Sequence, residues 1–137
     1  MVKELIHDPI FLAQKSSPAD ESDRQTAQDL LDTIIAHKDE CVGMAANMIG
    51  VKKRVIVFND SGVFRVMFNP EIIGRSEPYK TAEGCLSLLG EPRPTTRYKK
   101  IKVRYLNEEF KPRIKTFTGF TAQIIQHETD HCDGILI

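Results

Sequence analysis

The spacing of apolar residues changes along the chain from helical to strand-like and then back to helical. Between residues 21 and 38, apolar side chains recur at intervals of three and four, which places one stripe on a helix: Ala27, Leu30, Leu31, Ile34 and Ile35. Asp20 or Ser22 could cap the start of this helix, since a side-chain oxygen there accepts a hydrogen bond from a free backbone N–H. We therefore predict a helix over residues 21–38 that packs on the core.

The middle of the chain has the pattern of a β-hairpin. Residues 54–58 and 63–68 are rich in β-branched and apolar side chains, and the turn-forming segment from Asn59 to Gly62 separates them. Asn69 and Pro70 follow the second stretch. Because proline cannot donate to a strand ladder, we expect the second strand to end there.

A second hairpin is predicted nearer the C-terminus. Pro92 and Pro94 indicate a loop, after which residues 101–106 and 113–117 are strand-like again. The polar segment Asn107-Glu108-Glu109 lies between them and is expected to form the turn.

The last predicted element is a helix over residues 120–132. Thr118 is a candidate cap, and Gly134 fits the left-handed position that commonly follows a helix end. The strands precede this helix instead of alternating with helices. This order favours an α+β fold, with antiparallel strands and hairpins packed around a central C-terminal helix.

Composition restricts the class of protein. A chain of 137 residues is expected to form one domain, over residues 1–137. Nineteen basic and nineteen acidic residues cancel, so we expect no nucleic-acid partner and no attachment to anionic membranes. Three cysteines do not form a disulfide framework and favour the reducing cytoplasm. Neither a signal peptide nor an apolar membrane span is apparent in the sequence.

The last predicted helix carries the clearest chemistry. His127 and His131 are four residues apart, so both rings lie on one face and can share a metal ion. Glu128 lies about 100° around the helix, where it can act on a water molecule without being a ligand itself. The alternative to a metal site is that both histidines are solvated side chains on the protein surface. It is disfavoured because two of only four histidines occur in this H-E-x-x-H pattern.

A catalytic metal site needs a third protein ligand, which must come from upstream of this helix. Cys85, in the segment Glu83-Gly84-Cys85-Leu86-Ser87, offers a thiolate, a good ligand for iron or zinc. Taken alone, a buried structural cysteine would be the better interpretation of this residue. Four other candidate ligands are expected to be packed or solvated: Cys41, Cys132, His7 and His37.

Three segments together resemble the peptide deformylase family. That family is recognised by G-x-G-x-A-A-x-Q, then E-G-C-x-S, then H-E-x-D-H. The second motif is complete at residues 83–87 and the third at residues 127–131, and residues 41–48 match the first in part. The order and spacing also fit. The resemblance covers the whole chain and implies the peptide deformylase fold.

The resemblance implies removal of the formyl group from the N-terminal methionine of newly made polypeptides, with ribosome-associated nascent chains as candidate partners. It makes Cys85, His127 and His131 the ligands of one divalent metal, Fe²⁺ in the cell with Zn²⁺ or Ni²⁺ as alternatives. Glu128 becomes the general base. It also assigns roles to backbone groups, with the Leu86 N–H as an oxyanion donor and three residues as strand-like partners of the peptide: Val42, Gly43 and Gly84.

The first motif departs from the family pattern at two positions. Cys41 replaces a glycine, and Met48 replaces the glutamine that in the family donates a hydrogen bond to the formyl oxygen. Since methionine has no N–H, turnover is expected to be reduced. Asn47 is the only nearby amide that could substitute. Gln123, where the family helix is usually apolar, is a further substrate-pocket candidate or a solvated side chain.

These departures leave alternatives open. One is a weak or inactive deformylase-like paralogue, and another is a deacylase with altered specificity for the acyl group or the peptide. A generic zinc endopeptidase explains the helix but not the segment around Cys85. The sequence also leaves open whether Ile137 is a natural end.

Overall fold

The helix predicted over residues 21–38 is present, with its start capped as expected. The computed structural model describes the backbone of residues 1–137 and every side chain except that of Leu89. A 3₁₀ helix, Glu21–Asp23, leads into α2, Arg24–Ala36. The Asp20 carboxylate accepts a hydrogen bond from the Ser22 N–H at 2.8 Å. Ala27, Leu30 and Ile34 are buried in the core, whereas Ile35 at the end of the stripe is half exposed.

The other helices differ in how well the sequence predicted them. The C-terminal helix α3, Gly119–Cys132, has Thr118 at its N-cap position, but the threonine side chain makes no capping hydrogen bond. Gly134 follows the helix with φ +76°, as predicted. A short helix α1, Pro9–Leu12, and a 3₁₀ helix, Ala46–Ile49, were not predicted. None of the described helices is long and apolar enough to cross a membrane.

Five strands form one antiparallel sheet in the order in which they occur along the chain. Both predicted hairpins are present, the first with Val57 opposite Val66 and the second with Val103 opposite Lys115. The strands are β1, Gly43–Ala45; β2, Val55–Asp60; β3, Val63–Cys85; β4, Leu88–Leu106; and β5, Pro112–Thr118.

The breaks predicted at the prolines are wrong, because β3 and β4 continue through them. Asn69 and Pro70 lie in an irregularity of the β3–β4 register, where Asn69 has φ +53°. A bulge of this kind tolerates a missing N–H. Pro92 and Pro94 lie in the part of β4 that precedes its pairing with β5 at Lys100, so one edge of the strand is open there.

The core lies on both sides of β2, because neighbouring residues of this strand point to opposite faces. Val55 and Val57 pack with α2 and the Ala46–Ile49 helix, whereas Ile56 and Phe58 pack with α3. Helix α3 also contacts β1 and β4, so most of its residues from Ala122 onward are buried. The α+β class with a central C-terminal helix is thus confirmed, and the H-E-x-x-H segment lies inside the protein.

We expect Gly134→Ala to destabilise the protein far more than Gly62→Ala. Both glycines have positive φ, +76° and +97°, so either alanine costs about 1–2 kcal/mol in backbone strain. A Cβ at position 134 would also overlap the backbone of Ala13, with the carbonyl carbon at 2.8 Å, whereas nothing lies within 4 Å of one at position 62. Urea unfolding of both variants measures the difference, and equal midpoints would contradict the packing argument.

Candidate active site

A cavity of about 540 Å³ opens between β1, the turn joining β3 to β4, and α3. Val42, Gly43 and Met48 form one wall, and the segment Glu83–Leu86 forms another. Helix α3 closes the cavity with Gln123, Ile124, His127 and Glu128, and Phe120 stands at the mouth with 63% of its surface exposed. The residues that the sequence proposed for the substrate pocket therefore all line this one cavity, apart from the substitute donor Asn47.

The three proposed ligands meet at the inner end of this cavity. One candidate ligand atom each from Cys85, His127 and His131 lies within 4.8 Å of the others. The Nε2 atoms of the two histidines are 3.0 Å apart, because the rings lie one helical turn apart on the same face of α3. One sulfur and two imidazole nitrogens suit iron, zinc or nickel. Three protein donors also leave a fourth position for water or substrate.

Glu128 lies beside this cluster with its carboxyl group almost completely buried. Its side chain is 4% exposed, and Oε1 has no hydrogen-bond partner among the described residues. Burial raises the pKa of Glu128 to about 7, although the neighbouring His127 opposes the shift. A carboxyl group with this pKa can both take up and release a proton at neutral pH.

Gly43 makes room for this carboxyl group. A Cβ at position 43 would lie 2.7 Å from Oε2 of Glu128 and 2.5 Å from Cγ2 of Ile124. Real Cβ atoms essentially never approach other atoms so closely, so a larger residue at position 43 would have to displace the side chains of Glu128 and Ile124. The glycine of the first motif therefore keeps the Glu128 carboxyl group in its position beside β1.

Glu83 holds His127 in place, a role that the sequence did not reveal. Its Oε1 lies 2.7 Å from Nδ1 of His127. An ionised carboxylate can only accept, so Nδ1 carries a proton and Nε2, which faces His131, is the atom that can bind an ion. Burial would raise the pKa of Glu83, but hydrogen bonds from His127, Arg97 and Gln123 outweigh it and lower the pKa to about 2. Glu83 is therefore an anion at neutral pH.

Arg97 connects the two recognisable motifs. Its side chain is buried and donates to both oxygens of Glu83 and, at 2.6 Å, to Oδ2 of Asp130. Glu83 belongs to the E-G-C-x-S motif and Asp130 to the H-E-x-D-H motif. Both residues were identified from the sequence as motif positions but were assigned no role there. Arg97 lies in a lysine- and arginine-rich stretch, and nothing in the sequence distinguishes it from its solvated neighbours.

The pKa values of the two histidines are shifted in opposite directions, because their charged neighbours differ. The pKa of His131 is lowered to about 3, first by burial and then by the charges of His127 and Arg97. Burial alone would also lower the pKa of His127. The charge of Glu128 and hydrogen bonds to Cys85 and Glu83 instead raise it to about 10. His131 is therefore neutral, and His127 keeps a proton for which an incoming cation competes.

Met48 and Asn47 lie on different sides of the chain. Met48 is buried, with Sδ 4.0 Å from Sγ of Cys85 and 3.4 Å from the Ala45 nitrogen, whose N–H points toward it. Asn47 is absent from the cavity lining, and its amide donates to the carbonyl oxygen of His131 at 3.0 Å. The idea that Asn47 replaces the missing glutamine is therefore wrong, because adjacent residues point in different directions.

The other residues that the sequence analysis considered as ligands or pocket residues make contacts elsewhere or at the cavity wall. Gln123 is not a solvated side chain, since its amide donates to Oε2 of Glu83 at 2.8 Å. The thiol of Cys41 lies at the cavity wall and donates to the carbonyl oxygen of Gly43 at 2.8 Å. Cys132 is buried in the core beside α3. His7 Nδ1 lies 3.0 Å from the Ser87 carbonyl oxygen, and His37 lies 3.7 Å from Glu40.

Comparisons with known proteins agree with this geometry. The family model described as polypeptide deformylase matches residues 4–137. The peptide deformylase of Clostridium beijerinckii is 50% identical over 137 residues, which cover 100% of both chains. The crystal structure of a peptide deformylase from Legionella pneumophila superposes with a TM-score of 0.88 at 32% identity, covering 99% of this chain and 83% of that one. The Met-Ala-Ser-bound crystal structure of the class I type b enzyme from Acinetobacter baumannii gives 0.87 at 29% identity, covering 99% and 96%.

Proposed function

We propose, starting from the fact that this chain belongs to the peptide deformylase family, that Cys85, His127 and His131 hold its metal ion and that Glu128 moves the proton. The family places the chain among the hydrolases that remove the formyl group from the N-terminal methionine of newly made polypeptides. The observation that carries the residue assignment is the convergence of three donor atoms within 4.8 Å beside a buried carboxyl group.

The residues of the chain divide the chemical work between them. The bound ion supplies Lewis acidity, which makes water a nucleophile at neutral pH. Glu128 takes the proton from the attacking water and passes it to the leaving amine nitrogen as the C–N bond breaks. The N–H of Leu86 donates to the negative charge that develops on the formyl oxygen. Glu83 and Arg97 keep His127 in a fixed orientation throughout.

The substrate backbone pairs with β1 as an added strand. β1 is an edge strand, because it pairs only with β2 in the sheet. Val42 and Gly43 line the cavity on one side and Gly84 on the other, so main-chain groups on both walls can bond to an extended peptide. The Met-Ala-Ser peptide bound to the Acinetobacter baumannii relative supports an N-terminal methionyl peptide as the ligand.

The physiological setting completes the proposal. Residues 1–137 act as one domain in the cytoplasm on formylated chains, including those still at the ribosome, and Fe²⁺ is the metal in the cell. Zn²⁺ and Ni²⁺ fit the same soft donor set. Free thiols at all three cysteines support a reducing compartment. The alternatives of an inactive paralogue or an altered deacylase are not favoured, given 50% identity over the full length of a named deformylase.

The test compares His131→Ala with His37→Ala after anaerobic loading with iron. His131→Ala should lose most of its bound metal and its hydrolysis of formyl-Met-Ala-Ser, because one of three protein ligands is removed. His37→Ala should retain both, since His37 lies outside the cavity lining and its side chain is 3.7 Å from Glu40. Metal content is measured by mass spectrometry and turnover by release of formate. Wild-type metal content in His131→Ala would refute the ligand set.

Chelation is expected to make one thiol per chain reactive, and that thiol should be Cys85. Burial raises the pKa of Cys41 to about 12 and that of Cys132 to about 12, so both remain unreactive thiols at pH 8. A metal-bound Cys85 is protected until the ion is removed. Alkylation with iodoacetamide before and after EDTA, mapped by peptide mass spectrometry, measures this. In the Cys85→Ala variant, the rapid alkylation that follows EDTA treatment should be absent. Alkylation of Cys41 before Cys85 in the wild type would contradict the assignment.

A further inference from the structure

The charges of this chain are segregated although they sum to zero. Between Lys99 and Thr118, seven residues are lysine or arginine and only Glu108 and Glu109 are acidic. The rest of the chain must carry the balancing negative charge, since the formal net charge is +0. The net charge, from which we expected no nucleic-acid partner, therefore conceals a strongly basic hairpin formed by β4 and β5.

The sheet places a row of these cations on the face opposite the core. Ile101 and Val103 of β4 are buried against α3, so Lys100, Lys102 and Arg104 point to the other face, where they are exposed. Alternate residues of a strand are about 6.6–6.8 Å apart. The three cations therefore form an evenly spaced row along β4.

Strand β5 adds no cation to this row. Arg113 and Lys115 are exposed, but they lie opposite Tyr105 and Val103, so their side chains are on the same face as the buried residues of β4. Among the described residues, the only carboxylate within 4.0 Å of Lys100, Lys102 and Arg104 is that of Glu71, which lies 3.0 Å from Arg104. The basic ribbon, defined as Lys100, Lys102 and Arg104, thus contains two cations without an ion pair and one with a single exposed partner.

We propose that the basic ribbon docks on the phosphate backbone of RNA. Evenly spaced cations on an extended strand complement a chain of regularly repeated negative charges. An anionic membrane is a poorer match, because Ile114 is the only large apolar side chain of β5 that is strongly exposed. The choice of RNA rests on the proposed function, since newly made polypeptides leave an RNA-rich ribosome.

The ribbon also begins close to the active site. Lys100 pairs with Thr118, which is two residues before Phe120 at the cavity mouth. RNA bound to the ribbon would therefore hold the enzyme with its substrate cavity nearby, while the ribbon itself contributes no residue to the cavity lining.

The test uses the iron-loaded protein and a fluorescein-labelled RNA hairpin, with binding followed by anisotropy at 50 and 200 mM KCl. The ribbon variant is Lys100→Gln, Lys102→Gln and Arg104→Gln combined. The matched control, Lys15→Gln, Lys38→Gln and Lys52→Gln combined, removes the same charge from other exposed positions. We expect a wild-type Kd of about 10⁻⁶–10⁻⁴ M that weakens with salt. The ribbon variant should bind at least about tenfold more weakly, with a log–log salt slope smaller by about 2.

The control variant should bind RNA as the wild type does. Three results would overturn the proposal: no wild-type binding at 50 mM KCl, equal weakening in both triple variants, or tighter binding to phosphatidylglycerol vesicles than to RNA. Hydrolysis of formyl-Met-Ala-Ser at the wild-type rate checks that the ribbon variant is folded. Since anisotropy does not depend on turnover, RNA binding can fail or succeed independently of the deformylase assignment.

Discussion

Glu128→Gln should lower kcat for formyl-Met-Ala-Ser by about 10²–10⁴-fold, the range that a general acid–base typically contributes. Glutamine keeps the size and shape of the side chain, so it still fits against Gly43 and Ile124, but its amide cannot accept a proton from water. Glutamine therefore removes the carboxyl group whose pKa, about 7, lets it exchange a proton at neutral pH. Metal content should be unchanged, because Glu128 is not one of the three converging donors.

Glu40→Gln is the matched control for this substitution. Glu40 also lines the cavity, but 64% of its side chain is exposed and its contact is with His37. Its removal should leave kcat within about twofold of wild type, as expected of a solvated surface charge. Retention of more than a tenth of the wild-type rate in Glu128→Gln, with metal still bound, would mean that another group carries the proton.

Local sequence patterns were sufficient to place the parts of the site that lie within one helix. His127, Glu128 and His131 need only the helical period to appear on neighbouring faces of α3. The meeting of Cys85 with these histidines depends instead on the long β3–β4 hairpin, which connects residues far apart in the chain. Sequence spacing alone left Cys85 open to interpretation as a structural cysteine, and only the resemblance to the family favoured a ligand.

The long hairpin was also where local rules failed. Proline predicted breaks at Pro70, Pro92 and Pro94, but a proline interrupts a ladder only where its N–H is needed. A bulge at Pro70 and an open edge at Pro92 and Pro94 remove that need. Which edge of a strand is open depends on the position of the neighbouring strands, so it is not contained in the local pattern.

Arg97 shows the same limit for electrostatics. The sequence gives its charge but not its burial, and it lies among exposed lysines of the same strand. The fold buries it between two carboxylates from different motifs, Glu83 and Asp130. A positioning residue of this kind becomes visible only when the tertiary partners are known.

Met48→Gln should raise kcat by up to about 10²–10³-fold, the loss measured when a single oxyanion-hole donor is removed from a well-studied protease. Methionine and glutamine are of similar length, and Sδ of Met48 already lies 3.4 Å from the Ala45 nitrogen. A glutamine carbonyl oxygen could accept that N–H, which would leave its NH₂ group for the formyl oxygen. Steady-state kinetics on the iron-loaded enzyme measures the gain, which should fall on kcat more than on KM.

Met48→Leu separates this electrostatic argument from a simple effect of shape. Leucine is apolar and has no N–H, so it should not accelerate the reaction. Glutamine should cost about 1–3 kcal/mol of stability, because Met48 is 1% exposed and one amide donor would be left without a partner before substrate binds. A faster but less stable enzyme would show that this position exchanges stability for an oxyanion donor. An unchanged kcat in Met48→Gln would instead mean that the Leu86 N–H and the metal suffice.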